Sequence, residues 1–505
     1  MQSISKAKVK PVYFETDQEF ILKNRENNLP LNRRKSSLTD RVISARDGAL
    51  ATYSSAANSS VGKFASGVLQ LELAGVYSEE RALALQRTLT DPLRKSLFLM
   101  CFFGLLVPLF ASFFIVCVAV IPIQPPSPVI DDNEMFFVVA FIAITGFGYS
   151  AAGAVGSLLP DMKLSFVSNL IMCFSCSFTY TLSLYAMGHA FGFPIPFATT
   201  LPMGPAIGAI IAVIYWKGRG RFSELPDLRN RILGICKFAL VACLPLAIFP
   251  GLTIVLLQIN NPFVAGIIGL IFPTVKLVLR YAVYHIIDGS NGEHVDLSSK
   301  MAIFVIEFFS SLYVSMMVQT GGDTTNFVLG IWSYDFVTNI FYALCLKSMM
   351  KELPLGSSWD GKWTYEETKL RNAILHMTEF VILGEFVECI VPLMHAAWMW
   401  CAILGPNRPY WKGLKAEDFS SEQSYEVSYD LLQLFIWEFA SLVALMVAFQ
   451  LYGCPIFRQL SFILQRDWKF AVLLINGMFI MAVSAKLDHF GYDFTFQFNW
   501  LRDGV

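Results

Sequence analysis

The sequence predicts an all-α integral membrane protein: a bundle of about eleven transmembrane helices with a cytosolic N-terminus and an extracytosolic C-terminus. Three observations lead to this prediction. Hydrophobic residues make up 55% of the chain and charged residues only 15%, whereas soluble domains carry about 25% charged residues. The apolar residues are grouped in segments near the ~20 residues that a helix needs to cross a bilayer. Lysine and arginine fall mainly on alternate loops between these segments.

The apolar segments are separated by turn signals or charged loops. The predicted spans are residues 96–123, 135–159, 164–187, 195–216, 232–257, 262–287, 301–319, 326–346, 381–404, 429–451 and 468–485. Prolines interrupt several of them, notably Pro202 and Pro205 in the fourth, Pro273 in the sixth and Pro392 in the ninth. Because each proline removes a backbone hydrogen bond that lipid cannot replace, these kinks should face protein or a wet cavity.

The orientation follows from the basic residues. The loops predicted to be cytosolic hold Lys217, Arg219, Arg221, Arg229, Arg231, Lys347, Lys351, Lys362, Lys369, Arg371, Arg458, Arg466 and Lys469. Of the five loops predicted outside, only the long one after the ninth span carries basic residues, at Arg408, Lys412 and Lys415. Long loops weigh less in the positive-inside rule. An odd number of spans therefore preserves the charge pattern, which favours eleven over ten or twelve.

Four regions are predicted along the chain. Residues 1–62 form a disordered basic cytosolic tail and residues 63–92 amphipathic juxtamembrane helices, followed by the helix bundle at 93–487 and an extracytosolic tail at 488–505. In the first tail, Ser36 and Ser37 follow Arg33-Arg34-Lys35, which predicts phosphorylation by a basophilic kinase, testable by phosphopeptide mass spectrometry. The alternative is that this basic tail binds anionic lipid.

Eight ionisable residues inside the predicted spans form the candidate path for a solute or ion. They are Asp335, Glu438, Glu385, Glu388, His395, Glu307, Lys237 and Lys276. A rise of ~1.5 Å per residue places Asp335 and Glu438 about 14 Å deep, near the bilayer centre. Lys237, Lys276, Glu307 and Glu388 lie at roughly 8 to 10 Å on the cytosolic side by the same rise. Glu385, Glu388 and His395 share one helical face.

Charged residues at such depths usually mark ion or proton paths. The alternative is that they form interhelical ion pairs that fix packing, since Lys237, Lys276 and Arg280 could neutralise several acids. Two functions therefore stay open. The favoured one is a secondary transporter or facilitator for an unidentified small solute or ion; the other is a non-transporting scaffold or receptor-like protein.

Other functions are disfavoured by the motifs. Val391 stands where a di-metal Glu-x-x-His repeat would place its histidine, and no zinc-protease or Walker motif is present. Cys173 and Cys176 form a C-x-x-C without a second pair or a nearby histidine, so we predict neither a metal site nor a cofactor. No basic stripe interleaved with aromatics suggests nucleic acid. We expect no enzymatic activity.

The expected partners are the lipid bilayer, of the plasma membrane or an endomembrane, and anionic lipid at the basic tail. Homo-oligomerisation stays open.

Topology mapping checks the predicted orientation. An epitope tag at the N-terminus and one within residues 347–371 should be inaccessible in intact cells, whereas a tag after Val505 should be accessible. If the C-terminal tag is protected, the predicted number of spans is wrong.

Overall fold

A computed structural model describes residues 88–89, 92–127, 129–158, 165–193, 195, 201–219, 248–249, 267, 270–280, 282, 295–319, 325–351, 353, 365–411, 414, 420–465, 475, 479 and 489. The regular elements in these residues are all helices. We number them α1 (Leu93–Val120), α2 (Glu134–Leu158), α3 (Phe166–Phe191), α4 (Met203–Gly218), α5 (270–280), α6 (Val295–Gln319), α7 (Thr325–Lys351), α8 (Tyr365–Leu404), α9 (Ser421–Leu451) and α10 (456–465). The predicted all-α class is therefore confirmed for the described residues.

Four stretches in the described residues are long and apolar enough to cross a membrane. They are Phe166–Phe191, Val328–Lys351, Ile374–Leu404 and Glu422–Leu451, with shorter apolar helices at Met203–Gly218 and Phe304–Val318. A membrane protein is thus supported, while the count of eleven spans and the orientation of the termini stay predictions. The predicted N-terminal tail, most of residues 63–92, most of the predicted spans 232–257 and 468–485, and all of the C-terminal tail except His489 lie outside the described residues.

Several helices begin elsewhere than the sequence predicts, among them α4 and α8. Helix α4 begins at Met203 with Pro202 as its N-cap, so Pro205 lies in its first turn and does not kink the middle of a span. This position suits proline, because the first turn has no intrahelical partner for its N–H groups. Helix α8 begins at Tyr365, well before residue 381, and continues through Pro392 to Leu404.

Helices α2 and α3 pack closely at a glycine. A Cβ atom on Gly148 would lie 3.0 Å from the carbonyl oxygen of Cys173 and 3.3 Å from the Cβ of Cys176. The Cys173 thiol donates to the carbonyl of Thr145 at 3.2 Å. Cys173 and Cys176 therefore lie in the contact between α2 and α3.

Residues distant in the sequence meet at one end of the bundle. The buried Asn407 side chain accepts from the Ile123 N–H at 2.9 Å and donates to the carbonyls of Ala119 and Ile121 at 3.2 and 2.6 Å. It thereby satisfies carbonyls that the end of α1 leaves without helical partners. Nearby, the His489 ring stacks on Phe136 with 4.9 Å between centroids. Residues following α1, α8 and the last predicted span are thus held together.

Contacts at the opposite end join residues before α1 to residues after α9. Arg458 of α10 donates from Nη1 to the carbonyl of Leu89 at 2.6 Å. On the same helix, the buried Gln459 amide accepts from the Thr378 hydroxyl at 2.8 Å and donates to the Leu375 carbonyl. These contacts fix α10 against α8.

The junction between α1 and α8 should depend on glycine at position 405. A Cβ atom there would lie 2.6 Å from the Cys401 carbonyl oxygen and 3.1 Å from that of Ala119. Because both atoms belong to the backbone, Gly405→Ala should lower the stability by about 1–3 kcal/mol, measured as a lower melting temperature in mild detergent.

Gly104→Ala is the matched control, because a Cβ at position 104 meets nothing within 4 Å. Its melting temperature should equal or exceed that of wild type, since alanine favours a helix over glycine. Equal stability of the two variants would contradict the described packing at Gly405.

Candidate functional site

The candidate site forms around α8, which lies inside the bundle. In an apolar stretch of 18 residues within Ile374–Leu404, 78% of the residues are buried, against 28–33% in the corresponding stretches of the other three candidate spans. A helix that is apolar on all sides is expected at such a central position. The carboxylates that α8 carries are therefore enclosed by neighbouring helices.

Lys276 of α5 connects carboxylates from three helices. Its Nζ contacts an oxygen of Glu388 on α8, lies 3.0 Å from Oε2 of Glu307 on α6, and 3.9 Å from Oδ1 of Asp335 on α7. All four side chains are buried. Burying an ion costs several kcal/mol unless it is paired, so the ammonium group holds α5, α6, α7 and α8 in one arrangement.

Arg280 forms a second buried pair one helical turn further along α5. Its Nε donates to Oε1 of Glu307 at 2.5 Å, and its Nη2 contacts the same oxygen. The guanidinium also lies over the Phe380 ring, 5.5 Å from the centroid. A Cβ on Gly384 would lie 3.4 Å from Nη2, so glycine on α8 leaves room for arginine to reach Glu307.

Three buried carboxylates converge beside these pairs. Oxygens of Asp335, Glu388 and Glu438 all lie within 4.8 Å of one another, although they belong to α7, α8 and α9. Their exposed fractions are only 7%, 8% and 5%. Among the described residues, Oε2 of Glu438 has no hydrogen-bond partner. We refer to these three residues as the acid triad.

Acidic groups outnumber basic groups in this cluster. Within the described residues it holds the acid triad, Glu307 and Glu385 against Lys276 and Arg280. Full ionisation would thus leave three more negative than positive charges in a buried site. Such a site is stable only if protons or a further cation balance the excess.

A small cavity opens onto the acid triad. Its described lining comprises Phe272, Pro273, Lys276, Ser310, Ser311, Val314, Ile331, Asp335, Glu388, Pro392, Leu434 and Glu438. The cavity volume of about 20 Å³ exceeds the ~10–15 Å³ that a buried water molecule needs. It is therefore large enough for a water molecule or a dehydrated ion.

Prolines from two helices border this cavity. Pro392 cannot donate the helical hydrogen bond that the Glu388 carbonyl would otherwise accept. That carbonyl instead faces the Ser311 hydroxyl, which lies 3.5 Å away on α6. Pro273 of α5 also lines this cavity. The sequence analysis expected prolines within spans to face protein or a wet cavity, and these two prolines line a cavity.

The donor set of the acid triad suits a hard cation. Carboxylate and hydroxyl oxygens are the ligands that Mg²⁺, Ca²⁺ and Mn²⁺ prefer, and the triad oxygens are close enough to hold one ion. A proton shared among the carboxylates satisfies the same charge requirement. The Lys276 ammonium group, already in contact with Glu388, would compete with either cation for that oxygen.

The structure places the predicted path residues in different surroundings. Asp335, Glu438, Glu388, Glu307 and Lys276 form one cluster, so Glu388 lies at the level of Asp335 and Glu438. Glu385 is buried on α8, where it interacts electrostatically with Asp335 and Lys276. His395 instead packs beside Trp398 and Phe479, with centroid distances of 5.3 and 6.2 Å. Lys237, Ser36 and Ser37 lie outside the described residues.

Some site residues were not among the predicted path residues. Arg280 was expected only as a basic residue that could neutralise acids; it follows Lys276 by four residues, which places both on one helical face. Ser310 and Ser311 carry no such signal, because hydroxyls are common within membrane helices. Their role depends on how α6 packs against α8.

Known proteins give no guide to this site: no protein-family model, curated protein or solved structure matches the chain.

Two glutamates of the cluster should respond differently to neutralisation. Glu307→Gln removes the carboxylate that Lys276 and Arg280 share. Because breaking a buried ion pair costs about 3–5 kcal/mol, the melting temperature or the folded yield in detergent should fall sharply.

Glu438→Gln is the matched control, with the same substitution at a buried site in the same cluster. Because its carboxylate adds to the excess of negative charge, neutralisation should leave stability near wild type or raise it. Equal losses of stability in the two variants would contradict the distinction between paired and excess carboxylates.

Proposed function

We propose that the protein is a secondary transporter or facilitator whose intramembrane path binds a cation at the acid triad. The observation that carries this proposal is the excess of buried carboxylates over basic groups in the described cluster, with Glu438 contributing an oxygen that has no partner there. An unpaired charge near the bilayer centre costs at least ~2.5–3.5 kcal/mol. An exchangeable proton or metal ion supplies the balance.

Lys276 gives this site two arrangements of positive charge. When the triad binds a proton or cation, the ammonium group keeps its 3.0 Å contact with Glu307. When the bound cation leaves, the same group stabilises Glu388 and Asp335, which it already approaches. Release therefore does not expose three adjacent carboxylates to one another. A lysine side chain in this position thus lowers the electrostatic free energy of the triad when no cation is bound.

The prolines beside the cavity supply the backbone freedom that transport requires. Pro392 leaves the Glu388 carbonyl without its helical donor, Pro273 lines the same cavity, and prolines are common places for helices to bend. Bending of α5 or α8 there would move Lys276 or Glu388 relative to the triad. Coupling of ion binding to helix movement is the basis of alternating access.

The second candidate, a non-transporting scaffold, draws support from the ion pairs. Lys276, Arg280 and Glu307 join α5 to α6 without needing any ligand, and such pairs can specify how helices pack. The excess carboxylates are what this alternative leaves unexplained, so an experiment on Glu438 separates the two functions.

Reconstituted protein provides the test. Proteoliposomes carrying an internal pH indicator are given inward gradients of Na⁺, K⁺, Mg²⁺, Ca²⁺ or Mn²⁺, alone or with a pH gradient. Wild type should show proton or cation flux in at least one condition. Asp335→Asn and Glu438→Gln should each reduce that flux by at least tenfold, because they remove triad charges.

Glu426→Gln is the matched control, since Glu426 lies on the same helix as Glu438 but is exposed. It should transport like wild type. Wild-type flux in a stable, correctly inserted Glu438→Gln protein would exclude the triad as the path. Absence of flux in wild type under every condition would favour the scaffold.

A further inference from the structure

A second, larger cavity lies next to the one at the acid triad. Its volume is about 300 Å³, within the range of small-molecule sites. We name it the Trp groove. It is defined by Val318 of α6, Leu329 and Trp332 of α7, and Asp430, Leu434 and Trp437 of α9. The one charged residue in its described lining is acidic, Asp430.

The Trp groove and the triad cavity adjoin each other along α6, α7 and α9. Asp430, Leu434 and Glu438 follow one another at four-residue spacing, so they lie on one face of α9, about 6 Å apart in height. Leu434 lines both cavities. On α6, Val318 of the groove likewise lies one turn beyond Val314 of the triad cavity. The Leu434 side chain thus separates the groove from the buried carboxylates.

Two indole rings form one wall of the groove. The rings of Trp332 and Trp437 have centroids 5.2 Å apart and planes inclined at 57°. They therefore meet at an angle and are not stacked face to face. Phe336 stacks on the Trp332 ring, with 5.8 Å between centroids, whereas Trp437 is 45% exposed, so Trp437 offers the larger ring surface to a ligand. Tryptophan is the best aromatic partner for a cation, and angled aromatic rings are typical of sites for quaternary ammonium groups.

The charge of the surroundings favours the same ligand class. Asp430 supplies a carboxylate at the edge of the groove, and the described lining holds no basic side chain. Cavities lined by one sign of charge concentrate ligands of the opposite sign. An apolar lipid tail would gain nothing from Asp430, whereas an alkylammonium ion pairs with it and fills the apolar remainder with its methyl groups.

We propose that the Trp groove binds a small organic ammonium ion, with Trp332 and Trp437 as cation–π partners and Asp430 as counter-ion. This binding does not require that the protein transport anything. The additional statement that the bound ammonium ion is the transported solute, passing Leu434 to the triad, rests on the proposed function.

Two probes of the same shape test the role of the charge. Choline and its uncharged carbon analogue 3,3-dimethylbutan-1-ol are titrated calorimetrically into purified full-length protein in lipid nanodiscs. Wild type should bind choline at least tenfold more tightly. Equal affinity for the two probes, or no binding of choline, would overturn the proposal.

Substitutions locate the site. Trp332→Leu, Trp437→Leu and Asp430→Asn should each weaken choline binding about three- to thirtyfold, the range that corresponds to one cation–π or ionic contact. Trp437→Phe should lose less than Trp437→Leu, because the ring is kept. Unchanged affinity in folded tryptophan variants would place the ligand elsewhere and refute the proposal.

Trp216→Leu is the matched control. Trp216 is 61% exposed on α4 and has Lys217 over its ring, so it is a tryptophan outside the groove with a cation of its own. It should bind choline like wild type, and an equal loss there would contradict the assignment.

Failure of this inference and failure of the proposed function give different results. Choline binding that depends on the groove, without flux that depends on Glu438, would support the groove and reject the transport path. Cation flux that depends on Glu438, without choline binding, would do the reverse.

Discussion

The need to neutralise charge in a buried site governs this structure. Lys276 contacts carboxylates of α6, α7 and α8 at once, and the helices around α8 are arranged so that it can. Replacing so polar a core by apolar side chains would often cost no stability. The charges are therefore better explained by what they do. In this account, basic side chains fix part of the negative charge and an exchangeable cation balances the rest.

The two parts of the cluster have separate physical roles. Glu307 is enclosed between Lys276 and Arg280, and Gly384 makes the space for this arrangement. Such a closed pair is suited to holding helices together. The acid triad, by contrast, borders a cavity that two prolines line, and prolines are common places for helices to bend. The proposed transport would need such rigid pairing beside a deformable cation site, because the site must change its access without losing its fold.

The sequence predicted the helical class and all five acids of the described cluster because both depend on local properties. Long apolar segments predict spanning helices, and a charge within such a segment stands out. The sequence did not predict that Glu388 lies level with Asp335 and Glu438. That level depends on the extent of α8, which begins at Tyr365, and on its position relative to α7 and α9. The count of spans depends on segments that the described residues do not include.

Position along a helix and packing between helices explain the remaining differences. His395 lies on the face of α8 that carries Glu385 and Glu388, yet two helical turns place it beside Trp398 and Phe479, away from the triad cavity. The Trp groove was equally invisible in the sequence, because Trp332 and Trp437 meet only through the packing of α7 against α9. Pattern analysis identifies faces of single helices, whereas sites between helices also require their neighbours.

Infrared difference spectroscopy tests the central claim, the exchangeable charge at the acid triad, most directly. In protein treated with a chelator and held free of metal ions, protons alone can balance the excess carboxylates. The spectrum of wild type minus that of Asp335→Asn/Glu438→Gln should then show the carbonyl band of a protonated carboxylic acid. Adding the metal ion that wild type transports in the liposome experiment should remove that band, because the ion replaces the proton. Absence of the band from well-folded, metal-free wild type would show that these carboxylates are fully ionised, and would contradict the account.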